Sequence, residues 1–143
     1  MRARAGVALA ALALAAVPGV AGAASALSYQ GYTSQGHQIA FKRSRAGVFS
    51  MRIQVRATCV TDAGKKADYD FSLRAIDRKA DAVRRGAFMV RLAGEKKTPD
   101  ATIKGRINRR GVARGTIVAT GHVTNPSDIG TCRSGTVHWT AGP

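Results

Sequence analysis

The stretch TCRSGTVHW, residues 131–139, sets a cysteine, a serine and a histidine within a few positions, and these are the residue types of nucleophilic catalysis. On an extended strand Ser134 and His138 would share a face with their Cα atoms about 13 Å apart. A serine that hands its proton directly to a base needs about 3 Å. The flanking residues do not make the strained strand-to-helix elbow of a G-x-S-x-G hydrolase either. Cys132 has a simpler partner in Cys59, the other cysteine of the chain. The stretch is therefore read as half of a disulfide beside a strand, with Trp139 packing near it.

Other chemistry is sparser. His37, His122 and His138 lack H-x-x-x-H or C-x-x-C companions, so no metal or other cofactor is expected unless folding brings His122 and His138 together on neighbouring strands. Asp68 and Asp70 straddle Tyr69 on one face, and Asp77 and Asp81 sit in an ambiguous segment. A glycosidase needs two carboxyls about 5 to 9 Å apart across a cleft. Nothing marks such a cleft, so these acids are expected to serve as solvated partners for arginines. The arginines are more informative. Arg52, Arg56 and Arg74 fall opposite the apolar residues of their strands, where they could line one solvent face and hold phosphates or carboxylates of a polymer. Aromatic residues are scarce and mostly assigned to the core, which argues against a specific reader of single-stranded nucleic acid.

The elements that must position these residues have a period of two. In VFSMRIQVRATC, Phe49, Met51, Ile53, Val55, Ala57 and Cys59 alternate with polar and basic residues, as in a half-buried antiparallel strand. The same alternation recurs in SYQGYT, HQIAFK, YDFSLRA, AFMVRL, TIKGRI, VARGTIVATG and GTVHWTA, making about eight strands. Between them lie TSQG, RAG, DAGKK, RRG, AGEKKTPD, NRRG and NPSDIG, rich in the residues tight turns demand. Regular strands with frequent turns predict an all-β fold, a single antiparallel β-sandwich or small barrel with one disulfide. AIDRKADAVRRG resists assignment and is read as a loop or a short helix.

The chain opens with two arginines, an apolar run from Val7 to Val17 and small residues, the pattern of a secretory signal over residues 1–26 with cleavage after Ala23 or Ala26. The run is short of the roughly 20 residues needed to span a bilayer, so no membrane span is expected in the mature form. About 117 to 120 residues then remain, one domain over residues 27–143 with one modest core. Export favours a disulfide between Cys59 and Cys132, which would stabilise the fold by about 4 kcal/mol in the chain-entropy model. The chain carries 23 Lys and Arg against 8 Asp and Glu, a net charge of +15 that falls to +13 without Arg2 and Arg4. Such an excess fits attraction to polyanions, and equally an arginine-rich composition that decorates any solvated surface.

YQGYTSQGHQIAFK near the mature start and CRSGTVHWTA at the end resemble the Y-x-G-x-T-x-Q-G-x-x-I-x-F opening and C-x-S-G-x-V-x-W closing of a group of small secreted bacterial β-rich proteins of unknown function. The resemblance implies a common fold and the Cys59–Cys132 bridge, and it supplies no activity. The sequence thus predicts an exported, disulfide-stapled module, secreted or associated with the cell envelope. It is expected to act in binding or structure rather than catalysis, with an anionic envelope polymer or glycan as partner and Arg52, Arg56 and Arg74 as the anion-binding residues. The alternative is a small secreted hydrolase whose site assembles only in the fold. No oligomeric state is assigned.

Overall fold

The computed structural model describes residues 25–75, 80–92, 100–125 and 128–143, so the signal segment lies outside the described residues except for Ser25 and Ala26. The chain is all-β, with eight strands: β1 Leu27–Thr33, β2 Gln38–Arg43, β3 Val48–Thr61, β4 Lys66–Arg74, β5 Ala87–Leu92, β6 Asp100–Ile107, β7 Ala113–Asn125 and β8 Asp128–Gly142. Every pairing is antiparallel and the order is β4-β3-β2-β1-β8-β7-β6-β5. Among the described residues no helix forms. Of the ambiguous segment, residues 76–79 lie outside the described residues. Residues 80–87 make a single bridge from Asp81 to Val48 and a turn at Arg84–Ala87.

Closure comes from the two long strands. The first part of β3 pairs with β2, and its end, Thr58–Thr61, pairs directly with Arg133–Gly130 of β8. The other end of β8, Trp139–Gly142, pairs with β1. β3 and β8 therefore meet at one end and diverge at the other, and the β1–β2 hairpin fills the opening as the wedge of a small barrel. Backbone groups stranded where the strands part must find partners. The TSQG turn supplies them. The Gln35 side-chain amide donates to Arg56 O (2.9 Å) and accepts from Arg56 N (2.8 Å), as a neighbouring strand would. On the other side Ser34 N donates to His138 O (2.7 Å), and His138 N donates to Ser34 Oγ (3.2 Å).

Both halves bury their inward residues in one core. Tyr29 stacks on Phe41 with centroids 4.7 Å apart, and Trp139 meets Phe41 edge-on at 6.0 Å. Cys59 and Cys132 are opposite one another at the β3–β8 meeting point, bonded, with Cα atoms 3.9 Å apart and both buried beside Ala57.

Two bulges change what strict alternation predicts. In β3, Ser50 adopts φ 52° where the register against β2 slips between Ala40 and Lys42. The extra residue shifts the phase, so Val48 is fully buried and Phe49, expected in the core, is only half-buried. In β8 the slip opposite Val118–Thr120 leaves Ser134 and Gly135 facing Ala119, with Gly135 at φ 64°. Such a second residue in the left-handed region is where glycine costs least. The strand therefore runs through CRSG, and β7 and β8 extend across most of the NPSDIG segment expected to be a loop, leaving residues 126–127 between them.

Candidate anion-binding surface

Outward residues of β1 to β4 form one face. Register places Gln30, Ala40, Arg52 and Arg74 in a row across all four strands. Beside that row lie Tyr32 opposite Gln38, and Gln54 opposite Ser72. The small Ala40 leaves a low floor between longer neighbours, and the result is an open concavity of about 420 Å³ whose rim carries Arg52, Arg74, Gln30, Gln38, Gln54 and Tyr32. Tyr32 is 63% exposed and so presents its ring to whatever enters the concavity. Two exposed arginines directly opposite on neighbouring strands repel, and such pairs cost stability unless an anion lies between or beside them.

Arg56, expected in the same set, is committed elsewhere. It faces Asp70 across β3 and β4, with its Nε donating to Oδ1 at 2.9 Å and a terminal nitrogen donating to Oδ2 at 3.4 Å. The hydrogen bond from Arg56, and then its charge, hold the Asp70 carboxyl below its ordinary value against partial desolvation, and the carboxylate raises Arg56 in return. The folded pKa of Asp70 is lowered, so the pair supports the fold at and above the ordinary carboxylate range. Its support disappears as pH falls through the folded value. Both partners are about half exposed, so the contribution is small. His37 Nε2 lies 3.3 Å from Asp70 Oδ1 without the alignment of a hydrogen bond. Asp68 accepts from Thr58 Oγ1 at 2.8 Å, so the two acids do serve the strand face that carries them.

No protein-family model, curated protein or solved structure matches the chain. What the site is must come from its own chemistry.

The serine, histidine and cysteine of the closing segment have structural positions. Ser134 Oγ accepts from Ala119 N at 2.9 Å and donates to Gly135 O at 2.8 Å, which closes the bulge. Cys132 is in the disulfide. His122 stands opposite Thr131 and His138 opposite Thr116, about 20 Å apart along the strands, so folding does not bring them together. Among the described residues no group of three or more His, Cys, Asp or Glu could hold a metal ion, and no helix is long and apolar enough to cross a membrane.

Outward parity already places Arg52 and Arg74 on one face, but it does not single out the amides and Tyr32 around them. Their signal is present, since Gln30, Tyr32, Gln38 and Gln54 all occupy the polar phase of their strands. Freeing Arg56 tests its commitment to Asp70. Asp70→Asn is expected to increase retention on an immobilised polyuronate by about two- to threefold, the effect of one exposed charge contact. Asp62→Asn, the same charge change in the β3–β4 turn, is expected to give less than half that gain. Equal gains would show that Arg56 adds only net charge.

Proposed function

We propose that the protein is a binding module for an acidic polysaccharide, acting outside the cell or at its envelope, and that the β1–β4 concavity holds the polymer. One observation carries the assignment: an arginine pair set directly across two strands in a hollow otherwise rimmed by amides, a hydroxyl and an exposed tyrosine. Guanidinium forks recognise carboxylates in a bidentate manner. Gln30, Gln38, Gln54 and Ser72 offer donors and acceptors suited to sugar hydroxyls. Tyr32 offers a flat apolar face with a polar tip, against which a sugar ring can lie. The open shape suits a chain that passes through rather than a small molecule that is enclosed. The apolar amino-terminal run supports export, and the disulfide is compatible with an oxidising, extracellular location.

The test compares retention on immobilised alginate with retention on neutral dextran. Alginate binding is expected to fall steeply between about 50 and about 300 mM salt as charges are screened. Arg52→Ala with Arg74→Ala is expected to weaken it by about tenfold or more, from the loss of two charge-assisted contacts. Tyr32→Ala should weaken it by about three- to tenfold with little change in salt dependence, because its contact is apolar. An affinity for alginate left unchanged by all three substitutions would remove the assignment.

A further inference from the structure

We propose that the chain carries a second polyanion site, at the β6–β7 hairpin end, and that it bridges two strands of acidic polymer. The site stands on its own residues; the bridging rests on the proposed function of the first concavity. Arg106 and Arg114 face each other across β6 and β7, so the arrangement of Arg52 and Arg74 is repeated on the other half of the barrel. Arg109 and Arg110 occupy the turn between these strands. Asn108 Oδ1 accepts from Arg110 N (2.9 Å) and Val112 N (3.0 Å) and so fixes the backbone that presents them. A second turn adds Arg84 and Arg85. Arg84 and Ala87 exchange both backbone hydrogen bonds, at 2.8 and 2.9 Å, and Ile107 N donates to Gly86 O at 2.7 Å, which docks this turn against the hairpin.

Six arginines from two stretches, residues 84–85 and 106–114, thus gather at one end, all exposed, and among the described residues none of them is paired with a carboxylate. Arg85 sits at φ 50°, in the left-handed region where glycine or asparagine is easier, so a cation is placed at the turn tip despite the backbone's preference. Both arginine pairs repel in the free protein, and both are relieved by an anion. The hairpin end has no exposed aromatic among the described residues, so it offers charge recognition without the stacking that nucleobases call for. Geometry separates the two sites. Inward residues of β1 to β3 and of β5 to β8 share one core, so the outward residues of β3–β4 and of β6–β7 point away from each other across it. A single polymer strand in the concavity leaves the hairpin end free for another.

Three double variants with equal charge change decide it, on the full chain with alginate as the probe: Arg52→Glu with Arg74→Glu, Arg106→Glu with Arg114→Glu, and Lys65→Glu with Lys66→Glu where the β3–β4 turn enters β4. Circular dichroism and melting confirm folding, and glutamine replaces glutamate where a variant unfolds. Binding to immobilised alginate and turbidity on mixing at varied protein-to-polymer ratio are read in parallel. The unaltered protein is expected to give turbidity that peaks at an intermediate ratio and clears in salt. The Arg106/Arg114 variant should lose at least tenfold in turbidity while keeping binding within about threefold, and the Lys65/Lys66 variant should keep both. Loss at Arg52/Arg74 alone would leave the proposed function standing and overturn the second site. Loss at Arg106/Arg114 alone would leave the second site standing and overturn both the first and the bridging. Equal loss in all three variants would reduce every contact to net charge and overturn both.

Discussion

Truncating Trp139 to alanine is expected to lower the melting temperature by about 12–20 °C, from a loss of about 3–5 kcal/mol. The indole is buried at the centre of the core, in contact with Phe41 and Phe88. It lies over a cross-strand pair of glycines, with Gly115 opposite both Trp139 and Gly105. A Cβ added at either glycine would stand 2.7 Å from Trp139 Cζ2, and at Gly115 it would also collide with Lys104 O. The two glycines are thus the socket of the ring. Gly105→Ala and Gly115→Ala are each expected to cost about 1–3 kcal/mol, with Gly115→Ala the worse because a strand carbonyl cannot turn aside. Trp139→Phe is expected to cost much less than alanine, because among the described residues the indole N–H has no hydrogen-bond partner to lose. Thermal melts of the four variants test this order. If Trp139→Phe proves as damaging as Trp139→Ala, the indole is held by something other than its packing.

The socket also shows where sequence reasoning ends. Period-two alternation depends only on neighbours two residues apart, so all eight strands and the inward phase of Trp139, Val137 and Cys59 can be read directly. That Gly105 and Gly115 lie beneath Trp139 depends on register between three strands, which no local pattern encodes. The bulges have the same character. Ser50 carries no turn signal, yet one inserted residue there moves Val48 inward and Phe49 out of the core. Gly135 reads as the first residue of the strand GTVHWTA, because alternation alone does not show that a left-handed glycine bulges the chain there. At the candidate site, parity is enough to set Arg52 and Arg74 on one face. That they stand opposite each other, while Arg56 meets Asp70, is again a matter of register. The arginine cluster at the hairpin end is least legible, since it joins residues 84–85 to residues 106–114 through a single turn docked on Ile107.

The paired opening and closing segments acquire a common physical sense from the closure. Thr33 accepts from Gln35 N and His37 N to shape the turn, and Gln35 then bonds the backbone of β3 as a strand would. Cys132, Ser134 and Gly135 bend and tie β8 on the other side of the same opening. The residues that look most chemical in the sequence are therefore those that hold two diverging strands at the point where they part. The candidate surface is formed by plainer residues on the outward phase of the strands that those segments join.

Cys59 and Cys132 are expected to contribute about 4 kcal/mol, so that replacing both by alanine lowers the melting temperature by about 15 °C. Alanine is the proper substitute, because both positions are buried and a serine hydroxyl there would lack a partner. The bond links residues separated by 73 positions, so the unfolded chain loses much freedom when it is present. It also lies where closure is thinnest, since direct pairing of β3 with β8 involves only Thr58–Thr61 and Gly130–Arg133. Without the bond, these residues should open before the rest of the barrel. Native-state hydrogen exchange should then show protection falling first in those two segments and at the amide of Arg56, which depends on Gln35 being held in the opening. The strands β5 to β7, packed around Trp139, should keep protection close to that of the global fold. If protection instead falls uniformly, the bond acts only through the unfolded chain. In that case the β3–β8 junction is held shut by its own strand pairing together with the hairpin wedge and its Gln35 contacts.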